Sequence, residues 1–346
     1  HAVSSIAPVG LDDAAGLRLI RSTLDVSSDI SGEAGGDSVG ADMLFTFSRN
    51  ANGIVLENSV LKGGLKRTAA GAETMSHIGV EHSVERSILA NNSTIDLDGK
   101  LSISQGAWGI ELNDSIFKID ESEINMIQKT GLWAKNSNII YNKNKHQPST
   151  YQNNVIAGVF GSTYTQNYFA MCGQAIVLNN SNMDIPHDVS AIENNYGRMT
   201  FELMHGNNQG NNDMGVSNIT VALPIIQLDN NSYARILHSR MYTERTDITA
   251  NAVDHHYDAT TWASKSDTQP VYGSCLSVLN GSSAKMQGSE HAATILQGPN
   301  RWSKQKRMSG VYVGRNSSVE FNGPTAMIQY GVNALAEDNS VITFGP

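Results

Sequence analysis

The chain is poor in cysteine and in charge, and it has no long apolar run. Two cysteines among 346 residues, Cys172 and Cys275, are too few for a disulfide framework and are expected as unpaired, buried thiols. Apolar runs are short, as in Val155-Ile156-Ala157-Gly158-Val159-Phe160, and fall well below the roughly 20 residues that span a bilayer, so no membrane insertion is expected. Charged residues make up 16%, against about a quarter in an ordinary globular chain. They divide into 24 Lys and Arg and 33 Asp and Glu, a formal net charge of -9. That balance argues against a nucleic-acid partner, because phosphate binding rests on clustered cations. The one dense basic run, at 301–307, reads as a solvated loop. The first eight residues carry neither the basic stretch nor the apolar core of a secretory signal. A phosphate-cradling glycine loop, a nucleophile elbow and a Cys-x-x-Cys pair are all missing, and no cofactor is expected.

What the chain does have is uncharged polar residues and turn formers: 31 glycines and 33 asparagines, beside a 40% hydrophobic content that is enough for a sizeable core. This composition argues against a helical bundle. It is organised by a repeat, which has to be found before any motif is read. Segments such as Gly53-Ile54-Val55-Leu56-Glu57-Asn58-Ser59, Gly109-Ile110-Glu111-Leu112-Asn113-Asp114-Ser115 and Gly310-Val311-Tyr312-Val313-Gly314-Arg315-Asn316-Ser317 share one pattern. Ser93, Ser115, Ser137 and Ser181 follow one another at 22, 22 and 44 residues, which gives a period of 22. At that period one column reads Ile88, Ile110, Leu132, Asn154, Ile176 and another reads Ala90, Leu112, Ala134, Ile156, Leu178. Beyond the turn the columns read Ile95, Phe117, Ile139, Gly161, Met183, and Leu97, Ile119, Tyr141 with Ile185 two periods on.

Alternating apolar residues are a strand signal, and the Asn-Asn-Ser or Asn-Asp-Ser step between them is turn chemistry. The predicted fold is all-β: a single right-handed parallel β-helix with 22-residue coils and inserted loops. The coils stack about 4.8 Å apart, and eleven or twelve of them make a rod of roughly 50–60 Å. Residues 1–346 form one solenoid domain, with an irregular lead-in over 1–15 and loop insertions near 66–78, 142–152, 187–222, 240–272 and 296–308. Further anchors are Ser22, Ser59, Ser232, Ser282, Ser317 and Ser340. The segment 331–346 is still a repeat unit, so the chain is expected to stop inside the solenoid, as a fragment or with a capping partner.

If Ile110 and Leu112 point inward, the column between the inward ones points out. It reads Leu89, Glu111, Trp133, Val155, Val177, and four of the five are apolar. A solvated sheet face does not look like this. Either a flanking segment of the same chain covers it or identical chains pack there, and the second is the expectation, as a three-fold assembly. Leu89, Trp133, Val155 and Val177 are thus interface candidates.

A glycosidic-bond cleaving site on such a scaffold needs two carboxylates at hydrolytic spacing, or a base for elimination. Candidates are Glu111 with Asp114, and Asp120 with Glu121 or Glu123, with Trp133 as a sugar-stacking platform beside Glu111. The plainer reading makes them turn and surface acids. Asp254-His255-His256-Tyr257-Asp258, with Glu244 and Asp247 upstream, has metal-ligand types without a completing set, and Asp96-Leu97-Asp98-Gly99 lacks the later acidic positions of a calcium loop, so no metal is expected. The Asn-x-Ser triplets at 91–93, 179–181 and 280–282 coincide with the repeat's turn. They are read as turn formers whose amides stack in ladders rather than as glycosylation acceptors.

The Gly-Val-x-Val-x-x-Asn-Ser-Ser-Val-x-Phe-x-Gly-Pro unit at 310–324, echoed at 331–346, resembles the solenoids of bacteriophage tail spikes, tail fibres and other virion appendages. The likeness runs from about residue 16 onward as architecture. The same repeat grammar is similar to that of pectate-lyase-like enzymes and secreted bacterial adhesins. The phage resemblance implies a virion protein, a homotrimer beside other virion proteins, that binds host cell-surface polysaccharide. The enzyme resemblance implies an endoglycosidase or polysaccharide lyase, and the adhesin resemblance a secreted monomer.

Overall fold

The computed structural model describes residues 2–4, 14–26, 43–63, 66–67, 73–74, 76–127, 130–141, 167–172, 174–185, 201–205, 226–237, 239–242, 273–288, 294–297, 309–328 and 332–346. Every regular element among them is a β-strand. The fold is all-β, built of parallel strands stacked in sheets.

Three parallel ladders run side by side. The first has ten strands, among them Ala15–Ile20, Asn52–Glu57, Arg86–Asn91, Trp108–Asn113, Thr130–Lys135 and Gln174–Asn179, and ends at Val332–Ala336. A second ladder, from Thr23–Asp25 to Val341–Phe344, takes the chain after the turn. The third, from Ala2–Ser4 to Thr325–Ile328, carries it back toward the next strand of the first. Second and third ladders are continuous through the long strands Thr94–Gly106 and Ile116–Ile127, which change register between Leu97 and Lys100. The third strand that a 22-residue unit has room for is therefore the second half of these long strands. An antiparallel pair, Lys66–Arg67 with Glu73–Thr74, stands apart.

The repeat columns are strand register. Ile54, Ile88, Ile110, Leu132, Ile176, Ile226, Leu276, Val311 and Ala334 pair in succession. Ile88, Ile110 and Leu132 lie at 1% exposure or less. Asn154, Ile156 and Gly161, which the spacing places in the inward columns, lie outside the described residues. The ladder passes them by, because Leu132 pairs directly with Ile176 and Ile139 with Met183. An insertion equal in length to the repeat separates these strands, and spacing alone cannot tell it from a coil. Of the other expected insertions, 142–152 lies outside the described residues. Phe201–His205 and Ser239–Tyr242, inside or at the border of expected loops, are strands of the third ladder. Ten strands stacked in the first ladder span about 43 Å at this rise, less than the expected rod.

The turn between the first and second ladders is where the sequence is most constrained. Arg21, Asn58, Asn92, Asp114, Asn136 and Asn180 have φ between 46 and 52°, the left-handed region that asparagine and aspartate tolerate better than other side chains. From Asn230 onward the turn holds two such residues: Asn230 with Asn231, Asn280 with Gly281, Arg315 with Asn316, Asp338 with Asn339. Immediately after the turn comes the serine. All ten anchors form one file, each backbone N–H donating to the Oγ of the next: Ser22 to Ser59, then Ser93, Ser115, Ser137, Ser181, Ser232, Ser282, Ser317 and Ser340, at 3.0–3.2 Å. Most of the hydroxyls donate in turn to a carbonyl two residues back, as Ser93 does to Asn91 at 2.7 Å. The side chain thereby satisfies a buried N–H that the turn takes out of the ladder. Outside it the amides stack as expected, Asn92 on Asn58, Asn136 on Asp114 and Asn180 on Asn136, at 2.7–3.0 Å.

Inside, Phe117 and Tyr141 meet edge to face with ring centroids 6.3 Å apart. Burial pushes the Tyr141 phenol well above its ordinary range, against the opposing effect of its Ser122 hydrogen bond at 3.0 Å. Burial, and then the hydrogen bond to the Glu337 carboxylate at 3.2 Å, push Tyr312 up to about 12. Both native phenols hold protons that the unfolded chain releases above about pH 10. Their stabilisation is therefore complete below pH 10 and is lost as pH rises through the native values. Urea midpoints are expected to be level from pH 8 to 9.5 and to fall between pH 10 and 12, with a shallower fall in Tyr312→Phe.

Candidate functional site

Two outward surfaces of the stack differ sharply in chemistry. On the second ladder one outward file reads Asp25, Lys62, Asp96, Lys118, Ile140, Asp184, Arg235, Lys285, Glu320, Thr343 in register. Charges of opposite sign pair across it. Lys62 meets Asp25 at 3.1 Å and Lys118 meets Asp96 at 3.2 Å, while Arg235 grips both oxygens of Asp184 at 2.6 and 2.7 Å. This is a solvated face whose charges cancel.

On the first ladder the file between the inward columns reads Arg18, Val55, Leu89, Glu111, Trp133, Val177, Gln227, Ser277, Tyr312, Leu335. Six of these ten are apolar or aromatic. Leu89, Trp133 and Val177 are half-buried, and Val55 and Tyr312 are buried. Val155 lies outside the described residues. Trp133 pairs directly with Val177, so Val155 does not sit between them.

Glu111 occupies the one acidic position in this file, between Leu89 and Trp133. Its carboxylate is held by Arg86, whose guanidinium also reaches Glu85 at 3.4 Å, and accepts from Asn113 Nδ2 at 3.3 Å. Asn113 in turn donates to Asn91 at 3.0 Å. Spacing-based reading missed Arg86, although the signal exists: 25 residues is one 22-residue repeat plus three. A double-mutant cycle on Arg86→Ala and Glu111→Ala is expected to give a coupling of about 1 kcal/mol that shrinks in high salt, since both groups keep access to water.

The other acids do not join Glu111. Asp114 sits in the left-handed turn and accepts from Asn136 at 3.0 Å. Asp120 lies at the junction of the second and third ladders, and the side chains of Asp120, Glu121 and Glu123 lie outside those described. Glu111, Asp114 and Asp120 thus fall on a strand face, a turn and the register shift within a long strand. The side chains of Cys172 and Cys275, and the whole of 254–258, also lie outside the described residues. Among the described residues no group of three or more His, Cys, Asp and Glu could hold a metal ion.

Comparison with protein families, with curated proteins and with solved structures finds no match.

Proposed function

We propose that the three ladders are the legs of a single right-handed parallel β-helix, and that the chain is a structural and host-recognition component of a phage tail or related virion appendage. The observation that carries this reading is the contrast between the two outward files. A charge-paired file is at home in water, whereas Leu89, Trp133, Val177 and Leu335, half-buried between the already buried Val55 and Tyr312, leave apolar surface that is at home against another apolar surface. Three copies packing through that file make a closed assembly of rods, and cyclic closure uses up the apolar face without leaving it to aggregate. Stacked ladders supply rigidity, and the segments between them present side chains to a host cell-surface polysaccharide. Recognition is proposed over cleavage because Glu111 and Glu85, the two carboxylates brought together here, are both held by the Arg86 guanidinium instead of standing free to face a glycosidic bond.

Sedimentation equilibrium tests the assembly. The expected mass is three times 37.3 kDa, and Trp133→Asp is expected to return single chains, whereas a single-chain mass for the unaltered protein would favour a monomeric adhesin. Incubation with capsular and lipopolysaccharide glycans tests the activity. Retention without new reducing ends or unsaturated products is the expected result, and the appearance of either product would make the protein a polysaccharide-cleaving enzyme.

A further inference from the structure

Turns between the first and second ladders repeatedly end in one pair, an asparagine in the left-handed region followed by a serine of the file. Among them are Asn58-Ser59, Asn92-Ser93, Asn136-Ser137, Asn180-Ser181, Asn231-Ser232 and Asn316-Ser317. In each pair the asparagine is exposed, and the serine is buried at 5% exposure or less. Asparagine is a chemically labile residue. The backbone nitrogen of the residue after it closes a succinimide ring on the side-chain carbonyl carbon, and a small side chain on that residue leaves the nitrogen open to react.

Reaction and fold compete here for one atom. Ring closure joins the serine backbone nitrogen to the asparagine Cγ; that nitrogen gives up its proton, and the side-chain nitrogen leaves as ammonia. One water then opens the ring, so that amide and water become ammonia and the carboxylic acid of aspartate or isoaspartate. In the stack the same N–H donates to the Oγ of the next serine in the file. Ser59 donates to Ser93, Ser93 to Ser115, Ser137 to Ser181, Ser181 to Ser232, Ser232 to Ser282 and Ser317 to Ser340, at 3.0–3.1 Å. A nitrogen that has lost its only proton cannot donate, so cyclisation has to break this buried bond first. At Asn136 the reacting carbon is held as well, because Nδ2 donates to Asp114 at 3.0 Å and Oδ1 accepts from Asn180 at 2.9 Å.

We infer that these six asparagines are sites of spontaneous deamidation that the serine file holds closed, each guarded by the serine one ladder step further on. The file thus has a chemical role beside its structural one. Its failure at a single turn is damaging. A carboxylate in place of the Asn136 amide would face Asp114, and like-charge repulsion would replace the hydrogen bond now made there. Isoaspartate would insert an extra backbone atom into a turn whose φ is fixed at 51°.

Peptide mapping by mass spectrometry, after incubation of the whole chain in mildly alkaline buffer, tests this. Ser181→Ala removes the acceptor of the Ser137 N–H, and Ser115→Ala removes that of the Ser93 N–H. Ser181→Ala is expected to speed deamidation at Asn136 by about tenfold and leave Asn92 at its unaltered rate, and Ser115→Ala to do the reverse. No change at the newly freed position overturns the proposal. So does an equal rise at Asn58, Asn92 and Asn136 in either variant, which would trace the reaction to general unfolding. Should a variant fail to fold, the unaltered chain is compared in native buffer and in urea. The six positions are expected to react at least about tenfold faster in urea, where the file is gone, and equal rates would overturn the proposal.

Discussion

Gly109→Ala is expected to lower stability by about 3 kcal/mol, the upper end for overpacking, read as a fall in the urea midpoint or as loss of soluble protein. A Cβ at this position would lie 2.1 Å from the carbonyl oxygen of Gly131 and 3.2 Å from its Cα. The obstacle is backbone in the neighbouring strand, which cannot rotate away as a side chain can. Nor can the strands part, because Ile110 pairs with Leu132 one residue further on and both are fully buried. The glycine is thus required by close approach rather than by an unusual backbone angle. Gly314→Ala is the comparison. Its Cβ would meet the Tyr312 hydroxyl at 2.9 Å, the far end of a side chain, and a cost of about 1–2 kcal/mol is expected. Equal losses at the two positions would show that the contact with Gly131 is not what matters.

Ser137→Ala is expected to cost about 1–3 kcal/mol, a large value for removing one oxygen. The Ser137 hydroxyl accepts from the Ser115 N–H at 3.0 Å and donates to the Lys135 carbonyl at 2.7 Å. Alanine leaves that N–H buried and unpaired, and water cannot replace the partner where Ser115 and Ser137 are each 3% exposed. Ser318→Ala, on an exposed serine one residue past the file, is expected to change stability by less than about 0.5 kcal/mol. Guanidinium titrations of the two variants beside the unaltered chain compare them directly, and indistinguishable midpoints would remove the serine file from the account of stability.

The file itself was legible in the sequence. Ser22, Ser59, Ser93, Ser115, Ser137, Ser181, Ser232, Ser282, Ser317 and Ser340 follow the same apolar-polar-apolar step, and all ten stack. This is because a tight turn that needs both a left-handed residue and a hydroxyl leaves little freedom in composition. Inward columns were legible for the related reason that alternation and period coincide on Ile88, Ile110 and Leu132. Asn154 and Ile156 misled because 44 residues between Ser137 and Ser181 divide evenly by the period, while the ladder makes a single step there. The Arg86–Glu111 pair was hidden because it joins neighbouring strands on a diagonal, which a column at a fixed period does not sample. The extra turn residue after Asp229 was visible only as one more asparagine before Ser232.

The central claim is that position along the stack is set by strand count and not by residue number. Spin labels placed singly with Asn58 at the exposed turn residues Asn230, Arg315 and Asp338 test it by pulsed electron resonance. Five, seven and eight ladder steps separate these from Asn58, so distances of about 24, 34 and 38 Å are expected at about 4.8 Å per step. The interval from 230 to 315 should add only about 10 Å despite its 85 residues, two steps at that rise. Distances that do not grow with strand count, or that scale with the length of chain between the labels, would contradict the stacked order.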